Sequence, residues 1–104
     1  MIDHLSLYVK DYNQSLAFYK AALAPLQYSV LMEFPGIAGL GRDGKPDLWI
    51  SAHHPAFATH LAIAADNRAA VDAFYEAAIA AGAQDNGKPG LRPQYHPNYY
   101  GAFV

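Results

Sequence analysis

His4-Leu5-Ser6-Leu7-Tyr8-Val9 followed by Ala17-Phe18-Tyr19-Lys20-Ala21-Ala22 is written twice in this chain. The second copy is His60-Leu61-Ala62-Ile63-Ala64-Ala65 followed by Ala73-Phe74-Tyr75-Glu76-Ala77-Ala78. The copies align without a gap at a constant offset of about 56 residues, the kind of period to resolve before any other reading. Each opens with a His-Leu pair on an apolar segment and closes on an Ala-Phe-Tyr signature.

Working outward from the first copy, residues 2–9 alternate around β-branched and aromatic side chains and predict a strand. Leu5, Leu7 and Val9 would share one face; His4, Ser6 and Tyr8 would share the other. Asp11 or Asn13 supplies an N-cap, and Ser15, Phe18, Tyr19, Ala22 and Leu23 form one helical stripe. Pro25 makes a helix interior beyond it unfavourable. Residues 28–34 predict a second strand broken by Pro35-Gly36, and residues 37–42 a third, diluted by Gly39 and Gly41. Asp43-Gly44 offers the positive-φ pair of a tight hairpin before a fourth strand, 47–51, around Trp49. The first unit reads βαβββ.

The second unit starts over with a predicted strand at 60–65 and a helix capped by Asp66 or Asn67. Its stripe is Val71, Phe74, Tyr75, Ala78 and Ile79, and Gly82 suits the left-handed position after its end. Residues 85–97 read as loop and 99–104 as strand. No counterpart of 47–51 follows, so the pattern predicts an open edge, cover from another chain, or a longer protein, and the last is favoured.

Composition narrows the function classes. The chain has 104 residues, 53% of them hydrophobic, with a formal charge of −2, enough for one core and unlike a disordered or polyanion-binding chain. Lys and Arg are scattered singly, so nucleic acid is not an expected partner. Without cysteine there is no disulfide, thiolate ligand or thiol nucleophile. No apolar run reaches the roughly 18 residues of a membrane span, and no signal peptide is visible, so a cytoplasmic location is the expectation.

Two βαβββ units with strand-borne histidines resemble the vicinal-oxygen-chelate superfamily, which includes glyoxalase I, bleomycin-resistance proteins, fosfomycin-resistance enzymes and extradiol dioxygenases. The matching stretches are Asp3-His4-Leu5, Ser15-Leu16-Ala17-Phe18-Tyr19, Thr59-His60-Leu61, Ala73-Phe74-Tyr75 and Tyr99-Tyr100-Gly101-Ala102-Phe103-Val104. The resemblance implies an α+β fold of two duplicated βαβββ modules, about 1–56 and 57–104, forming curled mixed sheets around a cavity. The second module would lack its last strand. It also implies a divalent metal (Zn, Ni, Fe or Mn) held by His4 and His60, with a third ligand, a Glu, beyond Val104. The first module's last strand carries no Glu where glyoxalase I has a ligand. Gln27 stands where relatives often have Gly. A homodimer is implied too, consistent with open sheet edges.

The residues themselves support the pair. His4 and His60 sit early on predicted strands, opposite the bulky aliphatics, beside small Ser6, Ala62 and Ala64. Imidazole ligates all four of these metals, and two with a carboxylate leave open positions for substrate. The alternative is that each histidine is structural. His53-His54, being adjacent, cannot easily chelate one ion and reads as an exposed loop pair. Trp49, Arg92, Tyr95, Tyr99 and Tyr100, with His96 in a polar loop, are candidates for binding an aromatic or anionic substrate. Phe18, Tyr19, Phe74 and Tyr75 read as helix-on-sheet core. Glu33 would be a general base only if it faced the cavity; a solvated strand residue is the simpler reading.

Two functions follow. One is a metal-dependent lyase, isomerase or dioxygenase that chelates neighbouring oxygens of a small organic substrate. The other is a metal-free binding protein that sequesters a drug-like molecule, as the bleomycin-resistance members do.

Overall fold

β1 (Leu5–Tyr8) is an edge strand whose only sheet partner comes from much later in the chain. In the computed structural model, which describes residues 1–104, β1 pairs in parallel with β4 (Lys45–Ser51), matching Leu5 with Leu48 and Leu7 with Ile50. Between them come α1 (Tyr12–Leu23), a 3₁₀ turn (Ala24–Leu26), β2 (Ser29–Phe34) and β3 (Ile37–Arg42). The strands form one mixed sheet in the order β1-β4-β3-β2, antiparallel except at β1·β4.

Local chemistry places these boundaries. Asp11 accepts from the Gln14 backbone N–H at 3.0 Å and caps α1. Ahead of Pro25 the helix tightens into the 3₁₀ turn, and Gln27 ends it in the left-handed region at φ 66. Asp43 and Gly44 both take positive φ, as the hairpin reading requires. β4 starts at Lys45, two residues earlier than the pattern suggested, because Lys45 and Pro46 still pair with Arg42 and Gly41 across a bulge.

Register sorts the sheet into two faces. Leu5, Leu48 and Leu40 form one row and Leu7, Ile50 and Ala38 the next; Leu16, Leu23 and Leu26 of the α1 region cover them, making the core. The opposite face carries Ser6, Trp49 and Gly39 in one row, with Tyr8, Ser51 and Ile37 in the next. No helix packs there.

The second half is less regular. α2 (Arg68–Ala80), capped by Asn67 through the Ala70 N–H at 2.8 Å, packs on α1. Gly82, at φ 108, follows its end as the sequence predicts. The predicted strand at 60–65 is not one. Ile63 and Ala65 turn toward the core while Ala62 and Ala64 stay exposed, so side chains alternate, but no neighbouring strand completes a ladder. The predicted strand at 99–104 shrinks to β6 (Tyr100–Gly101), paired only with β5 (Gly90–Leu91). No helix is long and apolar enough to cross a membrane.

Candidate functional site

The open sheet face is floored by glycine. A Cβ on Gly39 would come within 2.9 Å of both the Trp49 ring and the Pro46 side chain, so the indole lies over the bare backbone. Tyr8, one row along, has its ring 4.8 Å from the His54 ring and 6.1 Å from Phe57. Met32 and Phe34 extend the same face toward the sheet edge and are 47% and 54% exposed. Trp49, Tyr8 and Phe34 thus share one face, largely apolar and open to solvent.

A second concavity lies on the other side of β1, toward the helices. Its volume is about 1060 Å³, and it is lined by Leu7, Tyr8 and Val9, by α1 and α2 residues such as Tyr19 and Phe74, and by Phe57 and residues 59–65 and 98–104, so Tyr8 and Phe57 border both this concavity and the open face. His60 and His96 line it, as do Tyr99 and Tyr100; His4, Trp49, Arg92 and Tyr95 do not.

The residues singled out in the sequence are therefore divided. His4 stands just before β1, exposed, with Nδ1 2.9 Å from Asp3 Oδ2. Asp3 also receives Lys45 Nζ. Bonding to Lys45 first, and to His4 next, holds the Asp3 carboxyl below its ordinary range. His60 lies 6.3 Å from the Phe103 ring. Arg92 is spent internally: it donates to the Lys88 carbonyl at 2.7 Å and sits 5.4 Å over the Phe103 ring. Tyr100 donates to Asp72 at 2.6 Å under Arg68 and so ties β6 to α2. Tyr95, 62% exposed, packs edge-on against Tyr99, which also meets His96.

Three other assignments resolve. Glu33 pairs with Ala38, on the helix side of the sheet, and accepts from Tyr12 Oη at 2.7 Å, so it does not face the open site. His53 is not merely an exposed loop residue. It lies 2.8 Å (Nε2) from the Pro35 carbonyl against Gly36 and fastens the β2–β3 turn, while His54 turns to Tyr8. Of the four helix aromatics, Tyr19 and Phe74 pack on the core and Phe18 stacks edge-on against Tyr19. Tyr75 is half-buried, and desolvation first, then Asp85, hold its phenol above the ordinary range. Tyr8, His54 and Phe57 were not singled out for a site; the available signal was that Tyr8 shares its predicted face with His4.

No family model matches the sequence, and no curated protein does. Solved structures do. A glyoxalase/bleomycin resistance protein from Albidiferax ferrireducens T118 superposes with a TM-score of 0.74 and 26% identity, covering 86% of this chain and 80% of that one. The chain has a vicinal-oxygen-chelate fold. A glyoxalase/bleomycin resistance protein/dioxygenase from Nocardioides shares the fold at a TM-score of 0.57 and 23% identity, covering 89% and 69%. No group of three or more His, Asp or Glu side chains is placed to hold an ion.

Proposed function

We propose that this chain is a small-molecule-binding module of the glyoxalase/bleomycin resistance kind, taking a planar, partly apolar organic molecule on the open sheet face. One observation carries the reading: the Trp49 indole, laid over Gly39, and the Tyr8 ring stand in adjacent rows on a face that no helix covers. Rigid aromatic surface binds flat ligands at little conformational cost. The bleomycin-resistance part of the Albidiferax neighbour's name supports this reading, and its glyoxalase part the second one below. Trp49 is the only tryptophan, so it reports on its own site. Bleomycin is expected to quench its emission saturably, with affinity reduced at least about tenfold in Tyr8→Ala, the loss of one well-packed aromatic contact. Unchanged emission across the titration would reject the reading.

A second reading, a divalent-metal-dependent enzyme chelating vicinal oxygens of its substrate, is supported by the Asp3–His4 contact. With Nδ1–H given to Asp3, His4 keeps its Nε2 lone pair free, the arrangement a ligating imidazole needs. His60 occupies the corresponding sequence position. Calorimetric titration with Zn, Mn, Ni and Fe(II) tests it: one ion per chain, lost in both His4→Ala and His60→Ala, supports it. No heat with any of the four removes it. Under either reading residues 57–104 are a second copy of 1–56, supported by the shared offset of the histidines and helix aromatics.

A further inference from the structure

Donors and acceptors are unevenly committed in the first half. All five carboxylates between residues 1 and 56 already have a donor. Asp3 takes Lys45, Asp11 the Gln14 N–H and Asp43 the Arg42 guanidinium; Glu33 and Asp47 take the phenols of Tyr12, at 2.7 Å, and Tyr28, at 3.0 Å. Ser6 and Tyr8, alternate residues of β1 on the open face, donate to no protein group. A hydroxyl without an acceptor in the protein can donate outward. Ser6 stands opposite Trp49 and Tyr8 opposite Ser51, so these two lie along one side of the indole, about 6.6 Å apart at their backbones. Ser51, 3% exposed and accepting the His53 N–H at 3.2 Å, is covered. On the other side of Trp49 the same two rows continue as Gly39 and Met32, and as Ile37 and Phe34, with no polar side chain. The face is divided: hydroxyls along β1, an apolar floor along β3 and β2, and the indole between them.

We propose that the open face selects aromatic molecules that carry an acceptor oxygen, above all a carboxylate, on one edge. The ring lies over Trp49 and Gly39, and the oxygen-bearing edge turns to the Ser6 and Tyr8 hydroxyls. This rests on the open face being the ligand site and adds which flat molecules that site prefers. Hydrogen bonds to an ionised oxygen are shorter and stronger than those between neutral groups, so a carboxylate gains most from two unspent donors. An aromatic ammonium of the same shape meets no unspent carboxylate there, and only the ring electrons attract it, a weak pull at an exposed site. Tyr8 then serves twice, its ring as apolar surface and its oxygen as donor. An aromatic acid has a competing place in the second concavity, where Arg68 lies 5.1 Å over the Tyr100 ring, so position must be read together with affinity.

The test compares two probes with the same ring: 2-naphthoate, whose edge accepts, and 2-naphthylmethylammonium, whose edge donates. Binding is followed by NMR on the indole N–H of Trp49, the only tryptophan, with the Gly39 amide as second reporter. Naphthoate is expected to move both signals saturably and to bind about tenfold or more tighter than the ammonium probe. Ser6→Ala and Tyr8→Phe each remove one oxygen. Each is expected to weaken naphthoate by about three- to tenfold and to narrow the gap between the probes. Equal affinities, or tighter binding of the ammonium probe, overturn the proposal while leaving the aromatic bed standing. A naphthoate preference that survives both substitutions overturns it too, because the two hydroxyls would not be its cause. Shifts at the Ile63 and Phe74 amides without any at Trp49 place the acid beside Arg68 and also overturn it. If neither probe moves the Trp49 signal, the ligand reading of the open face fails together with this one.

Discussion

Residues 4–9 and 60–65 carry the same His-Leu opening and the same alternation, yet the first holds a strand and the second does not. Around the first, β4 supplies both a hydrogen-bonding edge and two side chains that vanish into the core. Around the second, nothing plays that part. Every buried apolar side chain except Ala78 belongs to the first half. What separates the halves is a neighbour rather than a propensity: a strand exists as one side of a ladder, and an amphipathic helix buries its stripe only when the other wall is built.

The broadest way to break this comparison is hydrogen exchange on the chain alone. Amides of Leu7 and Val9 are expected to be protected by several orders of magnitude more than those of Ile63 and Ala65, near the limits set by global and local opening. Equal protection would mean that residues 60–65 are paired in solution. Truncation in the two halves comes next. Ile50→Ala or Leu40→Ala, at side chains with no exposure, is expected to cost about 2–5 kcal/mol in urea unfolding, and Ile63→Ala less than about 1.5 kcal/mol. Similar losses at both would show that the second half has a packed core after all.

A smaller contrast lies at two left-handed residues after the helices, Gln27 and Gly82. Gln27→Gly relieves a side chain held at positive φ and is expected to stabilise by about 0.5–1 kcal/mol; Gly82→Gln is expected to destabilise by about the same. A loss from Gln27→Gly would mean that the Gln27 side chain makes a compensating contact. The smallest effect concerns two tyrosines of the first half. Burial first, and then the Glu33 carboxylate, push Tyr12 up to about 12; burial and then Asp47, 3.0 Å away, do the same for Tyr28. A raised folded-state pKa favours the neutral phenol. Its contribution is intact below the ordinary value of 10.0 and is lost as pH climbs toward about 12. Urea midpoints are therefore expected to hold until about pH 10 and then fall, less steeply in Tyr28→Phe. An unchanged slope in that variant would place the alkaline loss elsewhere.

Much of the first half was legible because its signals are local. Asp11 caps, Asp43-Gly44 turns, and the alternation of Leu5 and Leu7 against Ser6 and Tyr8 names the buried face before any partner is known; in the second half the Asn67 cap was equally local. The repeated His-Leu and Ala-Phe-Tyr signatures also led to the vicinal-oxygen-chelate fold that the solved structures share. The site was less legible. His4 and His60 were linked by sequence position, but only one of them lines the cavity. The bed that Gly39 makes for Trp49 depends on a cross-strand register that no local pattern specifies.

By itself, then, the sequence determined the helices, their caps, the turns and which side of each extended segment is apolar, because each follows from residues a few positions apart. Only the tertiary structure decided which extended segments became strands, that Glu33 faces α1, that Arg92 and Tyr100 are spent holding the second half together, and where apolar surface is left without a partner. Those outcomes rest on pairing between distant residues, where the energy of a contact exists only once the opposite side is present.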